Sequence, residues 1–170
     1  MLKRCGWTMA AAGLVALGMP AAAAVLGPEA PACRAEANVP AVLVRVDGFK
    51  ARTGGLRVQI YGSNPDDFLE KGRKLKRIDL PVTPRGAMEV CVALPKAGNY
   101  AVAVRHDIDG SGKSGWNDGG GFSRNPKLSL FSYKPKYEEV VVGVGAGTRT
   151  VDVRLNYRQG LSIGPVRREG

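Results

Sequence analysis

The sequence predicts an all-β protein: an antiparallel immunoglobulin-like β-sandwich of about seven strands, with one long Gly/Asp-rich loop and at most a short helix. Three observations predict it. Apolar residues alternate with polar ones in short runs, the period of a half-buried strand. Gly, Pro, Asn and Asp punctuate the gaps, with 23 Gly and 11 Pro among 170 residues. Helical periodicity is scarce and there is no βαβ alternation or repeat, so packing sheet on sheet is the remaining way to bury the apolar faces. An apolar fraction of 44% with 24% charged residues argues against wholesale disorder. The length suits one core better than two.

The N-terminus reads as an export signal. Lys3 and Arg4 form a basic start, residues 9–19 a short apolar stretch, and Pro20 with Ala21, Ala22, Ala23 and Ala24 a small-residue cleavage site. The apolar stretch is well short of the roughly 20 residues needed to span a bilayer. Residues 1–24 are therefore expected to be removed, leaving a periplasmic or secreted chain with no transmembrane segment. Its formal charge falls from +10 to +8, with 23 basic against 15 acidic residues, because only Lys3 and Arg4 leave. A segment over 25–38 follows and carries Cys33. Once Cys5 is gone, Cys33 and Cys91 are an isolated pair in an oxidising compartment and are expected to form a disulfide.

The sandwich is placed over 39–157. Its clearest strands fall at 42–46, at 56–60 with Leu56, Val58 and Ile60 on one face, and at 88–94. A shorter strand lies near 78–82. Later strands are expected at 100–106, 137–144 and 151–157. The best helix signal is 64–72, where Asn64 is suited to the N-cap, Pro65 to the first helical position and Gly72 to the end. Residues 158–170 lack periodicity and read as a flexible basic tail.

The segment from 107 to 136 breaks the strand rhythm, and loops of that length in compact domains are functional or disordered. Its first part, Asp107-Ile108-Asp109-Gly110-Ser111-Gly112-Lys113-Ser114-Gly115-Trp116-Asn117-Asp118, fits a D-x-D-x-S-G-x5-D calcium loop. Asp107, Asp109 and Ser111 would offer oxygens at positions 1, 3 and 5. Gly112 would take the sharp turn, Lys113 would offer its carbonyl, and Asp118 would close the cage. Ser at position 5, Asp in place of Glu at position 12 and the absence of flanking helices predict weak Ca2+ binding, on the order of 10⁻⁴ to 10⁻³ M. The competing reading is an ion-free loop in which Asp, Asn, Ser and Gly make Asx turns, with Lys113, Arg105 or Arg124 as the counter-cation. His106 shares the parity of Val102 and Val104 where the strand meets this loop, and is expected to shape it. Gly121 would supply backbone freedom and Phe122 would pin the loop to the sandwich.

The run from Tyr100 through Val104-Arg105-His106-Asp107 to Gly112-Lys113, followed by Gly121-Phe122-Ser123-Arg124-Asn125-Pro126, resembles the signature of the DUF2141 family of exported bacterial proteins. In that family a strand ends in His-Asp, and an Asn/Asp-Gly loop leads to Gly-Phe-Ser-Asn and a closing strand pair. The resemblance spans about residues 40–157 and implies a small secreted β-sandwich of uncharacterised function. It departs from the pattern at Arg105, where an aromatic or apolar residue is common, and at Arg124, which stands for the usual Asn. No catalytic residues carry over, because none are established for the family.

Basic residues gather at Lys71, Arg73, Lys74, Lys76 and Arg77, at Lys134 and Lys136, and at Arg167 and Arg168. Export and an aromatic fraction of 6% argue against nucleic acid as the partner and leave an anionic envelope polymer or a lipid headgroup. One His and few Cys exclude multi-His zinc sites and iron–sulfur ligation. The expectation is an exported, non-enzymatic, monomeric protein with a binding or structural role in the cell envelope. The alternatives are a module that binds carbohydrate or an anionic envelope polymer, and a hydrolase using His106.

Overall fold

The computed structural model describes residues 24–166. Eleven strands form two facing sheets among them: β1 (Val25–Leu26), β2 (Ala41–Asp47), β3 (Gly55–Tyr61), β4 (Lys76–Pro81), β5 (Met88–Ala93), β6 (Gly98–Asp107), β7 (Gly119–Phe122), β8 (Val141–Val144), β9 (Thr148–Arg154), β10 (Asn156–Gln159) and β11 (Ser162–Gly164). The first sheet has the order β1-β5-β2-β9. The second has the order β11-β10-β7-β6-β3-β4, with β8 paired to the early part of β6. The all-β sandwich is as the alternating pattern predicts. No helix among the described residues is long and apolar enough to cross a membrane.

Period two decides what each face buries. Val42, Val44 and Val46 of β2 and Met88, Val90 and Val92 of β5 meet Leu56, Val58 and Ile60 of β3 and Val102 and Val104 of β6 in one aliphatic core. Burying a valine- or leucine-sized side chain contributes about 1.5–3 kcal/mol before entropy is counted, so this layer dominates the stability. The other face of the second sheet carries a smaller cluster in which Tyr61, Ala101, Ala103, Tyr137 and Val140 are joined by Phe68 and Phe122. It covers only part of that outer face.

The first sheet is tied to the N-terminal segment. Cys33 and Cys91 are bonded, with Cα atoms 5.9 Å apart, as expected from the isolated pair. Glu29 adds a second tie, its carboxylate accepting from the Ala93 amide at 2.8 Å and pairing with Lys76.

Several expectations are corrected. Two pairs are parallel, β1 with β5 and β2 with β9, the latter because the chain reaches β9 by crossing from β8 in the second sheet and not through a hairpin. The helix expected at 64–72 is only a 3-10 turn at Pro65–Asp67. Asn64 does cap it, accepting from the Asp66 amide at 3.3 Å. The chain then turns extended at Phe68, whose ring packs edge-on against Tyr61, Phe122 and Tyr137. The strand expected at 137–144 begins with one α-helical turn, Tyr137–Val140, in which Glu139 accepts from the Lys136 amide at 2.7 Å; Tyr137 and Val140 are thereby buried together on the smaller cluster. The long irregular loop contains β7, and the tail expected from residue 158 instead starts with the β10–β11 hairpin. Residues 1–23 and 167–170, including the proposed signal sequence, Arg167 and Arg168, lie outside the described residues.

Candidate functional site

His106 ends the core-facing row of β6 and is fully buried. One ring nitrogen, Nε2, lies 2.9 Å from the Thr53 carbonyl, and Nδ1 lies 2.7 Å from the Tyr157 hydroxyl. That hydroxyl also accepts from the Lys50 amide at 3.2 Å, so it donates to Nδ1 and the ring proton sits on Nε2. Both nitrogens are occupied within the fold. His106 joins β6 to the Thr53 turn and to β10 through these two bonds. Burial pushes the Tyr157 hydroxyl up to about 12, the Lys50 amide and Arg52 opposing it and Asp118 adding to it.

The acidic loop brings together three of the five predicted ligands. Carboxylate oxygens of Asp107, Asp109 and Asp118 all lie within 4.8 Å of one another. Backbone amides hold them: Ser111 and Gly112 donate to Asp107 at 3.1 and 2.8 Å, Ser111 to Asp109 at 3.0 Å, and Ile108 and Gly115 to Asp118 at 3.2 and 2.8 Å. Gly112 makes the turn with φ 76°, as expected. The Ser111 hydroxyl is directed at the Lys113 backbone, 3.4 Å from its carbonyl oxygen and from its nitrogen. The Ser111 side chain is the largest influence holding the Asp109 carboxyl below the ordinary 3.8, followed by the Ser111 amide and by Asp107.

Arg105 is the counter-cation within the loop. Its guanidinium bonds Asp107 Oδ2 at 3.3 Å, the Gly112 carbonyl at 3.0 Å and Ser114 Oγ at 3.1 Å. Three carboxylates and one guanidinium leave a net charge of −2, which a divalent cation would neutralise. The donor set is all oxygen, as Ca2+ requires, and the amide bonds fix the carboxylates without using every lone pair.

Behind this loop lies a groove of about 1000 Å³ on the outer face of the second sheet. Odd-numbered residues of β3 and β6 floor it, because the even-numbered ones are in the core. Arg57 stands opposite Arg105, Arg105 opposite Gly120, and Gly120 opposite Asn156, one row across β3, β6, β7 and β10. The acidic loop forms a wall through Ser114, Gly115, Trp116 and Asp118, and Leu128, Leu130, Tyr133 and Lys134 also line the groove. Seven lining residues are Lys or Arg and two, Glu70 and Asp118, are acidic. Trp116 is 76% exposed, with the Arg158 guanidinium 3.7 Å from its ring centroid.

The sequence marked Lys71, Lys74, Arg77 and Lys134 only as clusters, and the fold gathers all four here. It missed Arg57 and Arg158 as site residues, although the strand parity that buries Leu56 and Val58 already sends Arg57 to the opposite face. Gly121 also differs from expectation. A Cβ there would lie 2.6 Å from Val153 and 2.7 Å from the Arg154 carbonyl, so close packing, not backbone freedom, requires glycine. Phe122 packs edge-on against Phe68 beside the groove.

The model of the DUF2141 family, described as uncharacterized protein conserved in bacteria, matches residues 44–152, which contain the acidic loop and most of the groove. No curated protein and no solved structure matches the chain.

Proposed function

We propose, for a chain that belongs to the DUF2141 family, an exported, non-enzymatic role in the cell envelope: binding an anionic polymer in the groove of the second sheet. The observation that carries this reading is the groove itself, with its seven cationic and two acidic lining residues. The leader-like N-terminus, the basic balance and the Cys33–Cys91 disulfide support the compartment. The buried, doubly hydrogen-bonded His106 supports a role without catalysis.

The test is retention of the mature chain on immobilised alginate against neutral dextran. Saturable retention on alginate alone is expected, weakening as salt rises past about 0.15 M because the exposed cations are screened. Lys71→Gln with Lys74→Gln should lower the affinity several-fold. Equal retention on both matrices, or none on either, sinks the reading. Stronger binding to phosphatidylglycerol vesicles than to alginate would replace the polymer with a lipid surface.

A second reading is favoured by the three convergent carboxylates of Asp107, Asp109 and Asp118: the loop takes Ca2+ weakly, and so steadies Trp116 in the groove wall. Trp116 is the only Trp after residue 24, which makes its emission a direct report. Calcium added to chelator-treated protein should change that emission and raise Tm, with saturation on the order of 10⁻⁴ to 10⁻³ M. Asp109→Ala, an exposed change, should abolish both effects. Absence of either effect up to about 10 mM, well above the range of extracellular modules, leaves Arg105 as the loop's sole counter-cation.

A further inference from the structure

Arg57 and Arg105 are directly opposed on neighbouring strands, a placement of like charges that costs stability in a sheet. Both are held in place and are only 17% exposed, Arg57 by Asp79 at 2.7 Å and Arg105 by Asp107 at 3.3 Å. Arg57 uses only Nε for this, and its two terminal nitrogens have no acceptor among the described residues. Beside the pair the floor falls away. A side chain on Gly120 would meet only the Val104 carbonyl at 3.8 Å, and the next outward residue of β6 is Ala103.

The far end of the row has different chemistry. Arg158 lies against one face of the exposed Trp116 ring, which fixes a broad apolar plate at the groove wall. Asn156, opposite Gly120 in the same row, turns its amide nitrogen to the Gly120 and Arg154 carbonyls and leaves its side-chain oxygen as an acceptor. From β3 to β10 is three strand spacings, about 14 Å. A single small anion cannot reach both ends. A chain of sugar units can, because it offers acid groups to a guanidinium fork and ring faces to an aromatic plate.

We propose that the groove recognises an acidic oligosaccharide laid across β3, β6, β7 and β10, with an acid group at Arg57 and Arg105 over Gly120 and a sugar ring on Trp116. This rests on the polymer-binding reading and adds to it a ligand class, a direction across the sheet and a minimum length. The acid is a carboxylate or a phosphate ester, either of which fits the guanidinium fork. Asp79 holds the Arg57 guanidinium from the side, so its two terminal nitrogens are presented to the acid in a fixed arrangement, while Arg105, whose terminal nitrogens bond Asp107, Gly112 and Ser114, adds a fixed positive charge beside them.

The test is calorimetric titration of the mature chain with oligogalacturonates of one, three and five units, a phosphorylated oligomannose and a neutral maltopentaose. The five-unit acid should bind at least about tenfold more tightly than the single unit, and the neutral chain should not bind, since a charged hydrogen bond and a stacked ring are both needed. Arg57→Gln and Trp116→Ala should each weaken binding by about tenfold. Thermal melts identify any variant that fails to fold, and the exposed Trp116→Ala serves as the variant least dependent on packing. Length-dependent binding of the galacturonates, or binding of the phosphorylated oligomannose that both variants weaken, supports the proposal, and the chain that binds identifies the acid. Salt-sensitive retention on alginate that neither variant changes, or equal affinity for one and five units, overturns it while the polymer reading stands. If no acidic polymer is retained at all, both fall.

Discussion

At His106, β6 carries a polar ring into an aliphatic layer, and the cost of burying it is offset because each nitrogen has a partner. Tyr157 is the second half of that arrangement, accepting from Lys50 and donating to His106. The sign of the resulting alkaline effect follows from the tyrosine. Its hydroxyl is raised from 10.0 to about 12 in the fold, so between these values the unfolded chain has lost the proton and the folded one has kept it. Stability is unaffected by this group below pH 10.0 and falls as pH rises towards about 12. Tyr157→Phe should be less stable than wild type at neutral pH by about 1 kcal/mol or somewhat more, since it leaves a buried imidazole nitrogen without its donor. The difference should narrow across the alkaline range, because the variant no longer has that group to titrate. Urea melts at several pH values measure this, and a constant difference from neutral pH to pH 12 would contradict it.

Elements were legible where period two is strong and hidden where packing overrides local preference. The strands at 42–46, 56–60 and 100–106 could be read with their faces, because each buries a row of Val, Leu or Ile against the other sheet. β7 could not. Gly119-Gly120-Gly121 has no strand propensity, yet it pairs with β6, and two of its glycines are required by packing: a Cβ on Gly119 would lie 2.4 Å from the Tyr157 ring and one on Gly121 2.6 Å from Val153. The short helix at 64–72 was predicted from real cap chemistry at Asn64 and Pro65, and it stops because Phe68 gains more from three aromatic neighbours than from another turn. The acidic loop could be read from spacing alone. The groove behind it was not, since its row of Arg57, Arg105, Gly120 and Asn156 comes from four strands whose register no single segment specifies.

Across the whole molecule, the disulfide and the proposed binding groove occupy different sheets. The disulfide, β1 and the Glu29–Ala93 bond anchor residues 25–33 to the first sheet, with Glu29 also pairing with Lys76 on β4, while the cationic groove is on the outer face of the second. The outer face of the first sheet is balanced instead, with Arg45 between Glu89 at 2.8 Å and Asp152 at 3.8 Å. The proposed polymer site is therefore on one side only, and loss of the disulfide should leave its affinity untouched. The Cys33–Cys91 bond closes a loop of 58 residues. Its removal frees denatured-state entropy worth roughly 4 kcal/mol in the loop-entropy account. Cys33→Ala with Cys91→Ala should lower Tm by about 10 °C or more for a chain of this size, while alginate affinity measured well below the new Tm stays within about twofold, a free-energy change under 1 kcal/mol. A large loss of affinity with the fold intact would show that the two sheets are coupled. An unchanged Tm would show that Glu29, β1 and the aliphatic core hold the N-terminal segment without the bond.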